Sequence, residues 1–344
     1  MKMIKIIEIV LLLTLCCNNK FSETTRKAEK NYPLAEKIEI LSKDIATCFD
    51  EPIIECWDSF SSDLDSLSIA ISDEINKSYN PQEIVQKVRA VVFDTLKIGF
   101  DKNEDRVDNC LPQLVFKTRT GSCLGIGLFL LLLGERLGLP LYGVLVPTHF
   151  FVRYDDNSCC INLEPIKSGE SFDDTWYLNK YKPDNRKLNN LTIEQLTAVT
   201  HYSIGNIFLT AEKYDHAIKQ YRSSLDLWPD FTEAAGNLAV ALDLTGKSSD
   251  ALKVIGKIKN LSESSSELSK NKGILLLKNR LYEKAVKQYT TLLETNPNDP
   301  DVMYGLGVSY FYLKRYPDAR KYLQTALQIK PDLERARQLI LLME

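Results

Sequence analysis

The sequence predicts an α+β domain followed by an all-α solenoid of helical repeats. The α+β domain should have a helical N-terminal part and a core of one central helix plus an antiparallel sheet. Three observations carry this reading. An alanine recurs at 217, 251, 285 and 319. A nearly unbroken apolar run, residues 124–133, begins just after a polar stretch with a glycine turn. Residues 142–164 are rich in Val, Phe and Tyr and are broken at Pro147 and again at Asp155-Asp156-Asn157-Ser158, as three short strands would be. A chain of 344 residues suits two such domains plus a leader.

The leader comes first. Met1-Lys2-Met3-Ile4-Lys5 is followed by an apolar run to Leu15, interrupted by Glu8, and then by Cys16-Cys17-Asn18-Asn19-Lys20. A positive start, a short apolar stretch and an abrupt polar exit are the layout of a secretory signal. The run is too short to span a bilayer comfortably. Its end resembles a lipoprotein processing box, in which a cysteine becomes lipid-modified and N-terminal. Cys16 has the wanted apolar Leu13 at minus three but a large Leu15 at minus one. Cys17 has the smaller Cys16 at minus one but Thr14 at minus three. Residues 1–17 therefore read as a signal or lipoprotein segment, with a plain signal or an uncleaved anchor as the alternative, and residues 18–31 as a polar tether. The expected location is the bacterial cell envelope, with a membrane contact through the lipid.

Residues 32–190 read as one domain. Up to 110 it is mainly helical. Asn80-Pro81-Gln82-Glu83 is a helix start, with a capping residue, Pro at the first position and Glu at the third. Ile84, Val88, Val91 and Val92 then share a face. Asp101, Asn103 and Asp105 have the opening spacing of a calcium loop. Arg106 at its sixth position and Pro112 at its twelfth exclude one.

The segment 118–138 carries the chemistry. Thr118-Arg119-Thr120-Gly121-Ser122-Cys123 leads into a helix that is apolar all round, and such a helix must be buried. Cys123 sits at its N-terminus. There the helix dipole and the N–H groups of the first turn favour a thiolate and can hold an oxyanion. His149 opens the second strand and is the sole histidine outside the repeats. Asn162 and Glu164 lie two apart on the third strand and so face one side of it; either can orient the imidazole. The order nucleophile, base, orienter is that of thiol acyl transfer.

Gly121-Ser122-Cys123, Gly138-Leu139-Pro140, Pro147-Thr148-His149-Phe150 and Leu163-Glu164-Pro165 resemble the bacterial transglutaminase-like superfamily over about residues 80–180. The resemblance implies a papain- or transglutaminase-like core, with Cys123 as nucleophile, His149 as base and Glu164 as orienter, where the superfamily commonly has Asp. It also implies a Cys-His-Glu amide hydrolase or acyltransferase needing no cofactor. The superfamily includes members without demonstrated activity, so a non-catalytic scaffold is the alternative.

The repeats follow. Four residues after each alanine stand Tyr221, Ile255, Tyr289 and Leu323. Twelve before stand Gly205, Ala239, Gly273 and Gly307. Twelve after stand Pro229, Glu263, Pro297 and Pro331. Small residues let paired helices cross closely, large ones fill the gaps, and Pro separates units. This pattern resembles the tetratricopeptide (TPR) repeat, four copies over 198–331 with a capping helix at 332–344. The second copy lacks its Pro and runs into the Ser-rich stretch 261–269. Such an array stacks into a solenoid whose groove takes a protein or peptide partner. His201 and His216 lie inside it and read as packing or surface residues.

Other classes are excluded or left open. A net charge of −3 leaves no basic excess for nucleic acid, and there is no P-loop glycine motif. Eight scattered cysteines contain no Cys-x-x-Cys, so structural zinc is not expected. Cys48 with Cys56, and the adjacent Cys159 and Cys160, are possible disulfide partners or simply thiols.

Overall fold

A computed structural model of the chain describes residues 32–48, 57–78, 80–102, 106–183, 187–258 and 266–343. The expected signal or lipoprotein segment 1–17 with Cys16 and Cys17, the expected tether 18–31, Cys56, Asn103, Asp105 and Glu263 lie outside them. No helix among the described residues is long and apolar enough to cross a membrane. The chain divides into two compact units, Met1–Ala211 and Glu212–Glu344.

In the first unit, α1 (Pro33–Ala46), α2 (Trp57–Ile75), α3 (Pro81–Arg89) and α4 (Pro112–Thr118) precede the central helix α5 (Cys123–Leu137). Asn80 caps α3 as expected, its Oδ1 accepting from the Gln82 N–H at 3.0 Å. Of the four residues expected on one apolar face, Val88, Val91 and Val92 are buried and Ile84 is not; Val85 is buried in its place. The helix continues as a π-helical turn over Ala90–Thr95. Two short strands, β1 (Gly99–Phe100) and β2 (Thr120–Gly121), pair in parallel just ahead of α5; no sequence period of useful length marks them.

All of α5 is buried except Cys123, Glu135 and Leu137. Its far end ties down the helical shell. The Glu135 carboxylate accepts from the Leu34 and Ala35 N–H groups at 2.7 and 3.1 Å, so a residue a hundred positions away caps α1. Burial outweighs those two bonds and pushes the Glu135 carboxyl up. Arg136 lies over the Tyr32 ring and reaches Ser61 and Asp65 of α2. Against α5 lies an antiparallel sheet in the order β3 (Leu141–Val146), β4 (His149–Asp155), β5 (Cys160–Leu163). Helix α6 (Asp174–Tyr181) and helix α7 (Ile193–Thr210) complete the unit. A capping box at Thr192 and Gln195 starts α7.

The second unit holds α8 (Tyr214–Leu227), α9 (Thr232–Leu244), α10 (Ser248–Gly256), α11 (Ser266–Lys278), α12 (Tyr282–Thr295), α13 (Pro300–Tyr312), α14 (Tyr316–Ile329) and the closing α15 (Glu334–Leu341). The periodic alanines 217, 251, 285 and 319 are all 0% exposed. The Tyr289 ring packs between Gly273 of α11 and Gly305 of α13, where a Cβ would come within 2.5 and 2.4 Å of it. The expected boundary between domain and repeats, 190–198, differs from the boundary of the compact units at 211. Helix α7 starts the first repeat by phase yet packs in the first unit: the Leu191 N–H donates to the Gly143 carbonyl at 2.9 Å, and Leu196 lies against Gly143.

The turn between the two helices of each repeat needs one left-handed residue. These are Glu212, Gly246, Arg280 and Lys314, again 34 apart, with φ of 58°, 77°, 59° and 58°. A side chain there costs about 1–2 kcal/mol, offset in part because glycine loosens the unfolded chain. We expect Lys314→Gly to raise unfolding free energy by about 0.5–1 kcal/mol and Gly246→Ala to lower it by about 1 kcal/mol, both read by urea denaturation.

A thiol, an imidazole and a buried carboxylate

The start of α5 is set by one carbonyl. The Asn109 oxygen accepts from the Ser122 N–H at 2.8 Å and from the Ser122 hydroxyl at 3.0 Å. The same hydroxyl caps the helix by accepting from the Gly125 N–H at 3.2 Å. A Cβ on Gly125 would lie 2.1 Å from that Asn109 oxygen, and one on Gly127 would lie 2.4 Å from the Phe150 ring. The two glycines therefore let backbone and sheet close directly onto the first turns of α5. Cys123, partly exposed, is the first residue of that helix.

The sheet has two working faces. Phe150 and Val152 meet Gly127 and face α5. His149, Phe151 and Arg153 alternate with them and face α6: Phe151 stacks on Tyr177 at 3.8 Å, and Arg153 bonds Asp174. The Pro147-Thr148 turn places His149 at the first residue of β4, paired with Val146. Thr148 holds φ 61° in that turn, a strained conformation for a β-branched residue.

His149 and Glu164 come together. The imidazole Nε2 lies 2.9 and 2.8 Å from the two carboxylate oxygens of Glu164, with His149 6% and Glu164 0% exposed. An ionised carboxylate only accepts, so Nε2 carries the proton it shares with Glu164, and in the neutral ring Nδ1 keeps a lone pair. Glu164 is fixed from behind. It accepts from the Ile166 N–H at 3.2 Å, and its own N–H donates to the Glu170 carbonyl at 2.9 Å.

Asn162 does face the same side as Glu164 but does not meet the imidazole. Its Oδ1 accepts from Arg153 Nε at 2.8 Å, and its Nδ2 donates to the Phe172 carbonyl and to Asp174. Its amide oxygen and both amide hydrogens are engaged with Arg153, Phe172 and Asp174, and the carboxylate partner of His149 is Glu164. Two residues absent from the sequence reading also belong here. Tyr181 stacks on His149 with ring centroids 4.8 Å apart and planes at 9°. Its hydroxyl is pushed up to about 12, by burial first and then by the charges of Glu164 and Cys123, so it lies within electrostatic reach of both. Tyr177 is pushed up more strongly by burial and by Glu164. The signal that could have found them is their four-residue spacing on α6, which puts both rings on one helix face.

Other candidates separate cleanly. Asp101 accepts from Asn109 Nδ2 at 3.1 Å and so braces the approach to α5. Among the described residues no cluster of three or more His, Cys, Asp or Glu is arranged to hold a metal ion. Cys159 is partly exposed and Cys160 exposed, and the two are not bonded to each other. In the second unit a cavity of about 600 Å³ lies among α8, α9 and α10, lined by Leu225, Phe231, Leu238, Val254 and Ile258 with Arg222 at its edge. It lies where α10 has 9 residues and the corresponding α8, α12 and α14 have 14.

A cysteine at the head of a buried helix, with an imidazole held by a carboxylate on the sheet packed against that helix, is the layout of cysteine acyl-transfer folds. The comparisons place it more narrowly. Residues 58–210 match the Transglutaminase-like superfamily, and residues 202–257 and 270–334 match the tetratricopeptide repeat. The chain thus carries a transglutaminase-like domain followed by TPR repeats, and the two matches overlap on α7. A UPF0162 protein of Xylella fastidiosa is 24% identical over 52% of this chain and 69% of its own length. The anaphase-promoting complex subunit CDC16 of Saccharomyces cerevisiae is 25% identical over 40% of this chain and 16% of its own length. Among solved structures, MamA of Desulfovibrio magneticus RS-1 is 21% identical over 42% of this chain and 82% of its own, with a TM-score of 0.40. YrrB, described as a TPR protein with an unusual peptide-binding site, is 22% identical over 42% of this chain and 79% of its own, with a TM-score of 0.39.

The Asn109 carbonyl contact makes a prediction. Gly125→Ala forces a backbone oxygen to move and should cost about 1–3 kcal/mol in a urea melt. Because the same contact sets where Cys123 starts its helix, the alkylation rate of Cys123 near neutral pH should fall in the fraction that remains folded.

Proposed function

We propose that the chain is an exported thiol enzyme, an amide hydrolase or acyltransferase of transglutaminase-like type, whose TPR repeats take a protein or peptide partner. The observation that carries the reading is the buried pairing of His149 Nε2 with Glu164, on the strand beside the helix that Cys123 begins. A buried carboxylate aimed at one edge of an imidazole sets its tautomer and prepares the other nitrogen to take a proton.

In the proposed reaction Nδ1 of His149 takes the Cys123 thiol proton, and the thiolate attacks an amide carbonyl carbon. The oxyanion lies at the first turn of α5, where an α-helix leaves its leading N–H groups without intrahelical partners. The C–N bond breaks, and the amine leaves with the proton from His149. Water then resolves the thioester to an acid, or an amine resolves it to a new amide. Glu164 stabilises the imidazolium throughout.

The decisive measurement is the iodoacetamide rate of Cys123 across pH, read by mass mapping of its peptide. We expect wild type to react well below about pH 7 and His149→Ala to follow an ordinary thiol of pKa about 8.5, with the rate at pH 6 lower by tenfold or more. Cys123→Ala should abolish labelling by a thiol-reactive acyl probe. An ordinary profile in wild type would favour a non-catalytic scaffold.

The proposed export has its own test. Lipid on Cys16 or Cys17 predicts that the protein sediments with membranes, and that replacing both with Ser moves it to the soluble fraction. Sedimentation unchanged in the double variant would remove the lipid anchor from the reading.

A further inference from the structure

The Nε2 contact alone leaves the imidazole a freedom that proton transfer cannot tolerate. With both carboxylate oxygens of Glu164 on one nitrogen, the ring can still pivot about that edge and swing Nδ1 through an arc. Something must hold its plane. On the α6 side the parallel ring of Tyr181 does so, 4.8 Å away at 9°. Trp176 meets Tyr181 edge-on at 6.2 Å, and Tyr177 lies beside it at 6.3 Å. Helix α6 is held in turn by a polar clamp. The buried Arg153 bonds Asn162, Asp174 at the first turn of α6, and the Leu188 carbonyl, while Asn162 reaches Phe172 and Asp174.

We propose that Tyr181 is a positioning residue of this site, its ring holding the plane of the His149 imidazole while Glu164 holds the Nε2 edge. The inference rests on the thiol–imidazole reading above. The Arg153–Asn162–Asp174 clamp is then the anchor of the plane, which accounts for a buried Asn162 with three partners two residues before Glu164. The hydroxyl is not required for this role; the flat face is.

The test uses the full chain with Tyr181→Phe, Tyr181→Leu and Tyr181→Met, each checked for a cooperative thermal melt. Two readouts are taken: the pH profile of Cys123 alkylation, and the tautomer of His149 by imidazole nitrogen NMR. Tyr181→Phe should keep the wild-type profile and a single Nε2-protonated tautomer. The Leu and Met variants should fold, keep the Nε2-protonated tautomer that Glu164 sets, and react about tenfold more slowly at pH 6, equivalent to an apparent thiol pKa about one unit higher. Wild-type behaviour in the Leu and Met variants, with an activated wild type, overturns this proposal alone. An ordinary thiol profile in wild type overturns the reading beneath it. If both flexible variants fail to fold while Tyr181→Phe folds, the ring is a packing element and the proposal fails.

Discussion

The Asn109 carbonyl decides where the central helix begins, and the rest of the site follows from that point. It takes two hydrogen bonds from Ser122 and lies against Gly125 so closely that no side chain fits. A buried helix without a defined start could slide by a residue, because its sides are apolar in every direction and offer no register of their own. The polar contacts at its two ends remove that freedom. Asn109 and Ser122 fix the N-terminus, while Glu135 and Arg136 fix the other end against α1 and α2. Cys123 is thereby held at one place relative to the sheet.

The sheet converts that placement into chemistry through simple alternation. One face of β4 supplies Phe150 and Val152 to the packing against α5, and the other supplies His149, Phe151 and Arg153 to the side of α6. The polar side chains that β4 places on the second face are paired. His149 meets Glu164, Arg153 meets Asn162 and Asp174, and the aromatic rings of α6 fill the space between them. Burying a carboxylate at 0% exposure is costly unless its oxygens are engaged, and here the imidazole and the Ile166 N–H engage them.

The repeats follow a different logic, in which each element depends mainly on its sequence neighbours. The 34-residue spacing recurs in the buried alanines and in the left-handed turn residues alike. The irregularities lie where the pattern itself fails. Repeat two lacks its Pro, and its second helix is short, with a cavity beside it. Helix α7 answers to two patterns at once, beginning the repeats by phase while packing with the transglutaminase-like domain.

By itself the sequence determined the class of both parts, the break between strands at Pro147, the cap at Asn80 and the candidate residues Cys123, His149 and Glu164. These are legible because they rest on local period, turn chemistry and a histidine count that left one imidazole outside the repeats. Only the tertiary structure decided between Asn162 and Glu164. Both face the same side of the strand, and the choice depends on Arg153 and Asp174, which draw Asn162 away through space. It also decided the β1–β2 pair, too short for any period, and the π turn that follows α3, which leaves no mark in an α-helical pattern. Tyr181 belongs to the same group. Its spacing from Tyr177 marks a shared helix face, but its place against His149 is set by the clamp of Arg153, Asn162 and Asp174, which forms only through space.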